Sequence, residues 1–298
     1  MKNLSRRKII KSASAAVLAG GTAGSAAALS KLSGGLSSIG KTPHTKFAVN
    51  VEMWWTDLEF TDRIRQTAAL GFPAVEMWDY AGKDLDAIRN TCDELGTVMT
   101  QFTAWGFNPG MNDPANHNDF EKKIRESCGI AKKLNCTLAT VVGGDDQPGM
   151  TGEEMHKNMI TALKRVAPIV EDNGLTLILE PMNIRVDHKG HSLYGSGPAT
   201  MICREVDSPN VKINWDLYHM HITEGDLCGH MREGFDQIGY LQLADHPGRN
   251  EPGTGEIHYP RVLKEAYDLG YRGYVGLECR PLGDHIEAAR RVAMADQW

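Results

Sequence analysis

Apolar positions along this chain switch between two periods. Short runs enriched in apolar and β-branched residues begin near Phe47, Ala74, Val98, Thr137, Leu175, Val211, Ile238 and Gly273. Between them apolar residues recur at helical spacing, as over 60–70, 85–95, 120–134 and 153–171. The helical stretches end on a repeated stop: Leu70-Gly71, Leu95-Gly96, Asn173-Gly174 and Leu269-Gly270, with Asn135 after the third. Gly or Asn suits the left-handed residue that follows a helix, and a strand-like run resumes within a few residues.

Eight strand–helix units in succession leave no interval for a linker or a second domain, which predicts an α/β protein with a single (β/α)8 TIM barrel over residues 46–298. A doubly wound open sheet would also alternate strand and helix. Two features disfavour it. No GxGxxG or GxxxxGK[ST] follows the first strand, and the polar strand ends lie on the fifth to eighth strands rather than at one crevice.

Those polar ends carry the chemistry. LTLILEPMN ends its apolar run with Glu180, VKINWDLYH with Asp216, IGYLQLADH with Gln242 and GYVGLECRP with Glu278. A carboxylate at the end of a buried strand is costly unless something positive meets it. In a closed barrel the four side chains would ring one opening, the C-terminal face where TIM-barrel sites lie. An all-oxygen set suits Mg2+ or Mn2+ better than Zn2+, which prefers nitrogen and sulfur. Any one of the four, taken alone, reads as a capping or loop residue; the joint pattern on consecutive strands favours a metal.

Composition bounds the rest. The chain has 298 residues, 41% hydrophobic and 23% charged, with a net charge of −6. That balance argues against a nucleic-acid binder, which needs clustered Lys and Arg. The first thirty residues differ: Lys2, Arg6, Arg7, Lys8 and Lys11 stand without an acidic residue ahead of an Ala/Gly/Ser-dominated run. This resembles a twin-arginine export signal over 1–30, followed by a flexible Ser/Gly-rich tether over 31–45, and predicts a periplasmic or otherwise extracytoplasmic protein with no membrane span in its mature form. Six cysteines without a CxxC pair read as buried thiols, and strand alternation should turn Cys279 away from the barrel interior.

From Leu179 to Pro281 the words LEPMN, Asp216-Leu-Tyr-His219, Gln242-Leu-Ala-Asp245, Glu251-Pro-Gly-Thr-Gly-Glu256 and Gly276-Leu-Glu278-Cys-Arg-Pro281 resemble the hydroxypyruvate isomerase family. That family sits within the xylose-isomerase-like barrel superfamily, which includes tagatose 3-epimerases. Gly71-Phe-Pro-Ala-Val-Glu76 fits the family's second strand. The resemblance implies a metal on Glu180, Asp216, Gln242 and Glu278, with Glu180 and Glu278 as the acid/base pair. It also implies substrate contacts from His219 and from an arginine at or beside Arg249. No nucleotide cofactor is expected; the partner is a small hydroxy-carbonyl substrate, and a homo-oligomer is left open.

Other residues carry lighter expectations. Glu76, ending the second strand, is a candidate contact for substrate hydroxyls, and Trp54, Trp78 and Trp105 are candidate pocket walls. His188 and His191 fall in a loop, Glu256 is expected to fix its own loop, and Asp145 and Asp146 form a turn where a second ion is a minor alternative. The leading function is a metal-dependent aldose–ketose type isomerase working through an enediolate, hydroxypyruvate to tartronate semialdehyde in the family's named reaction. An exported keto-sugar or sugar-acid epimerase would use the same chemistry. A metal-dependent phosphodiesterase and a non-catalytic binding module are the remaining classes.

Overall fold

The computed structural model describes residues 36–298. The proposed export signal lies outside them. Nine parallel strands form one sheet: β1 Lys46–Asn50, β2 Ala74–Glu76, β3 Val98–Met99, β4 Gln101–Trp105, β5 Leu138–Val142, β6 Thr176–Glu180, β7 Val211–Asp216, β8 Ile238–Leu243 and β9 Tyr274–Leu277. Their order, β3-β2-β1-β9-β8-β7-β6-β5-β4, places β3 and β4 at the two ends. These two are one strand interrupted at Thr100. Its backbone N–H still donates to Val75 O at 2.9 Å, and Met77 N–H donates to Gln101 O at 3.3 Å. The sheet therefore closes through them, and the eight predicted strands are the eight staves of a TIM barrel.

Helices α1 Phe60–Ala69, α2 Leu85–Leu95, α3 His117–Leu134, α4 Gly152–Asn173, α5 Ser196–Val206, α6 Leu217–Thr223, α7 Leu227–Gly234, α8 Tyr259–Asp268 and α9 His285–Met294 follow the strands. The sequence stops act as expected: Gly96, Asn135 and Gly174 end their helices at φ 65°, 52° and 65°. α4 starts on a capping box, in which Thr151 accepts from Glu154 N–H while the Glu154 carboxylate accepts from Thr151 N–H.

The strands are buried on both faces, as parallel strands covered by helices must be. The outward faces pack apolar residues such as Val75, Leu179, Trp215 and Leu241 under the helices. The interior is polar toward the C-terminal end, where Asn50, Glu76, Gln101, Thr140, Asn214, Tyr240 and Gln242 meet across the barrel. The hydrogen bonds among them pin side chains in place, with Asn214 Oδ1 buried and unpartnered.

Residues 36–45, the described part of the expected tether, pack against the barrel. Gly40 N–H donates to Leu70 O at 2.8 Å, His44 N–H donates to Asp296 Oδ2 at 2.8 Å, and the His44 ring stacks on Trp298 at 4.6 Å. The six cysteines are free thiols. Among the described residues no helix is long and apolar enough to cross a membrane.

Candidate active site

Strand ends bring Glu180, Asp216 and Glu278 together at the C-terminal mouth. β6 stops at Glu180, β7 stops at Asp216, and Glu278 follows β9 directly. Asp216 also starts α6: its Oδ1 accepts from Tyr218 N–H at 2.9 Å, a capping bond that commits one oxygen. The other, Oδ2, is buried with no hydrogen-bond partner. Ligand atoms of Glu180, Asp216, His219 and Glu278 lie within 4.8 Å of one another, all four residues buried.

Arg249, from the loop after β8, enters the same space. Its Nη2 lies 2.7 Å from Glu278 Oε2 and 3.6 Å from Asp216 Oδ2. Trp78 Nε1–H donates to Glu278 Oε1 at 2.7 Å. Three ionised carboxylates against one guanidinium leave an excess of negative charge that burial makes expensive. The consequences appear in the acidities. Burial, then Glu278 and Asp216, push Glu180 well above the usual carboxylate range. Burial and Glu278 do the same to Asp216. Burial opposes the charge on Arg249, but Glu278, Asp216 and Glu180 outweigh it and hold the guanidinium more firmly protonated. His219 is held well below its usual value by burial and then by Arg249, so it is neutral. An orphaned Asp216 oxygen inside an over-negative carboxylate cluster is the environment a divalent cation fits.

The structure sorts the remaining expected site residues by depth. Gln242 is the register partner of Asp216 on the neighbouring strand; its Oε1 accepts from Asn214 at 2.6 Å and its Nε2 donates to Glu76 Oε1 at 2.8 Å. Glu76 is fully buried in the barrel interior, accepting from Asn50 at 3.0 Å and from Tyr240 Oη at 2.7 Å, so it lies beneath the pocket rather than in its lining. Burial, then Glu278, push its pKa up to about 7. Gly276 makes room for this pair, since a Cβ there would sit 2.2 Å from Glu76 Oε2 and 2.9 Å from Gln242 Cγ. Gly276→Ala is therefore expected to cost about 1–3 kcal/mol of stability by overpacking. A urea titration would read this as a lower midpoint at unchanged slope.

A cavity of about 320 Å3 opens above the cluster, walled by Trp78, Phe107, Met182, His188, His219 and Arg249 among others. Of the three tryptophans considered from sequence, Trp78 lines it, while Trp54 and Trp105 are buried in the core. His188 stacks on Phe107 at 4.8 Å and completes a wall. His191 is buried, with Nδ1 3.6 Å from Asp145 Oδ1. Asp145 also accepts from Asn108 Nδ2 at 3.0 Å, and among the described residues the mouth cluster is the one group that could hold a metal. Glu256 accepts from His221 at 2.8 Å, which ties its loop to α6. Phe107 and Asn183 escaped the sequence reading. Asn183 closes the LEPMN word, the one signal that could have flagged it.

A closed β/α barrel with a buried acidic mouth defines a TIM-barrel enzyme class, and comparison with known proteins makes it specific. The sequence pattern of the Xylose isomerase-like TIM barrel family matches residues 64–295. Hydroxypyruvate isomerase of Escherichia coli (strain K12) is 30% identical over 247 residues, covering 79% of this chain and 93% of that protein. A 2-oxo-tetronate isomerase of Cupriavidus necator is 30% identical over 245 residues, with coverages of 79% and 93%. The crystal structure of an AP endonuclease, family 2, from Brucella melitensis superposes with a TM-score of 0.77 at 25% identity, covering 82% of this chain and 96% of that one. The chain belongs to the xylose isomerase-like TIM barrel family. It is an isomerase.

Proposed function

We propose that this isomerase exchanges the carbonyl and hydroxyl of a small α-hydroxy carbonyl compound through an enediolate, with hydroxypyruvate to tartronate semialdehyde as its reaction. The observation that carries the reading is the buried mouth cluster with its unpartnered Asp216 oxygen. The residues that would hold a divalent ion, Mg2+ or Mn2+, are Glu180, Asp216 and Glu278, with Gln242 as the neutral member. A bound ion supplies positive charge against which the enediolate's oxygens are stabilised.

Glu180 and Glu278 perform the proton chemistry. One carboxylate takes a proton from the hydroxyl-bearing carbon, whose electron pair becomes the carbon–carbon double bond as the carbonyl oxygen gains charge. A proton returns to the former carbonyl carbon, and the hydroxyl proton passes to the former carbonyl oxygen as the new carbonyl forms, so the compound's protons are conserved. A base with a raised pKa is better matched to a weak carbon acid, the direction in which burial moves Glu180. Arg249 binds and orients from the cationic side, and Trp78, Phe107 and His188 exclude water.

A second reading, a keto-sugar or sugar acid, is favoured by the size of the cavity and by Asp79, Thr103 and Thr140 in its lining, which suit additional hydroxyls. We further propose that residues 1–30 direct twin-arginine export, which would place the substrate outside the cytoplasm. A phosphodiesterase is disfavoured because the early strands end in Asn50, Glu76, Trp105 and Val142 rather than in zinc-binding histidines. Assay of the purified protein with Mg2+, Mn2+ and Co2+ on hydroxypyruvate, four-carbon oxo acids and ketoses tests the substrate. Turnover confined to ketoses would replace hydroxypyruvate by the sugar reading, and no turnover of any would favour a binding module.

A further inference from the structure

His219 stands among three carboxylates, where its Nε2 could either join them around a cation or carry a proton toward the cavity. The choice is settled by which ring nitrogen bears the hydrogen, and Asn183 fixes that. Its side chain is fully buried, and Oδ1 accepts from Val186 N–H at 3.0 Å and Asp187 N–H at 3.1 Å. Those two backbone donors exclude the flipped amide, because an NH2 in place of the oxygen would face two N–H groups. Nδ2 is then committed to two partners at 2.7 Å each: Asp187 Oδ2 and His219 Nδ1. One amide hydrogen goes to Asp187 Oδ2, so the other points at His219 Nδ1, which must be the acceptor.

With Nδ1 accepting, the ring's hydrogen sits on Nε2. That nitrogen faces Asp216 Oδ2 at 3.5 Å and Glu180 Oε1 at 3.8 Å, acceptors rather than donors. Arg249 Nη2 approaches it at 3.4 Å, a distance at the edge of hydrogen bonding, while the same Nη2 donates to Glu278 at 2.7 Å. The shorter contact at Nδ1 decides. Tyr218 and His188 pack edge-on at 5.4 and 5.2 Å and hold the ring plane.

We infer that Asn183 is a positioning residue that locks His219 as an Nε2–H donor aimed at the substrate's carbonyl oxygen, which excludes His219 from the metal's ligand set. This rests on the isomerase reading above. As the enediolate forms, the oxygen gains charge and the Nε2–H bond to it strengthens, which stabilises the transition state more than the ground state. Asn183 itself touches no reacting atom.

Histidine-labelled full-length protein observed by long-range 1H–15N correlation reports the protonated nitrogen directly, with His219→Gln identifying the signal. The expected spectrum has hydrogen on Nε2 and none on Nδ1, unchanged when Mg2+ is added. Hydrogen on Nδ1, or loss of the Nε2 hydrogen on adding Mg2+, overturns the assignment. In the double variant Asn183→Asp with Asp187→Asn the turn is kept while its donor to the ring becomes an acceptor. The hydrogen should move to Nδ1, and kcat should fall roughly 100-fold, the usual loss of one oxyanion donor. Unchanged kcat with a moved proton also overturns the role. Should this variant fail to fold, the wild-type spectra decide. If no hydroxy-carbonyl compound is turned over, the functional reading fails while the spectrum still reports the tautomer.

Discussion

Glu278→Gln is expected to lower kcat/KM by roughly 1000-fold or more, with Glu180→Gln close behind. Acid–base groups contribute about 100- to 10,000-fold, and each of these residues is also a member of the buried cluster. Substitution by Gln keeps the volume and still allows Trp78 to donate to an oxygen at position 278. The loss should therefore come without unfolding. Removing the Glu180 charge relieves repulsion, so metal-free Glu180→Gln should melt no lower than the wild type, whereas Glu278→Gln also gives up the charge paired with Arg249 at 2.7 Å and should melt somewhat lower. Scanning calorimetry beside steady-state kinetics separates the two effects. Full activity in Glu278→Gln would remove that residue from the chemistry.

Chelation carries the second large effect. Dialysis against EDTA should abolish turnover, and Mn2+ or Mg2+ should restore it. The raised acidities of Glu180 and Asp216 fix the sign of the pH dependence. Both carboxyls must be ionised to hold a cation, so binding releases protons and affinity falls as pH falls. Calorimetry in buffers of different ionisation enthalpy measures that release. Without metal, the folded chain holds more protons than the unfolded chain between the ordinary carboxylate range and the raised values. Its stability therefore falls as pH rises through that window. Metal should reverse the penalty and add about 2.7 kcal/mol at a hundredfold excess over its dissociation constant. A melting temperature unmoved by saturating Mn2+ would speak against a resident ion.

Much of this was legible in the chain itself. The alternation of periods and the Gly and Asn stops at 96, 135 and 174 predict the barrel, because a left-handed helix end and a buried parallel strand each restrict residue type locally. Strand-end carboxylates at 180, 216 and 278 are visible for the same reason: burial makes their placement improbable without a partner. Depth is not legible. Period two says which residues point inward but not how far along the barrel axis each lies, since that depends on stagger between strands. Hence Glu76 reads as a rim residue in sequence but lies in the interior beside Gly276 and Gln242. Trp54 and Trp105 likewise read as walls and pack in the core, while Trp78 reaches the pocket. The role of Asn183 depends on two backbone N–H groups and a carboxylate four residues on, a local turn that no spacing announces.

Isomerisation in D2O is the most direct test of the central claim, that side chains at the barrel mouth remove and return a carbon-bound proton. With the metal-loaded protein and hydroxypyruvate, NMR should show deuterium entering the carbon that becomes the hydroxyl-bearing centre of the product, and Glu180→Gln and Glu278→Gln should show none. Conversion at full rate with no solvent deuterium in the product would mean the hydrogen moves directly between carbons, and the carboxylate proton-transfer account would be wrong.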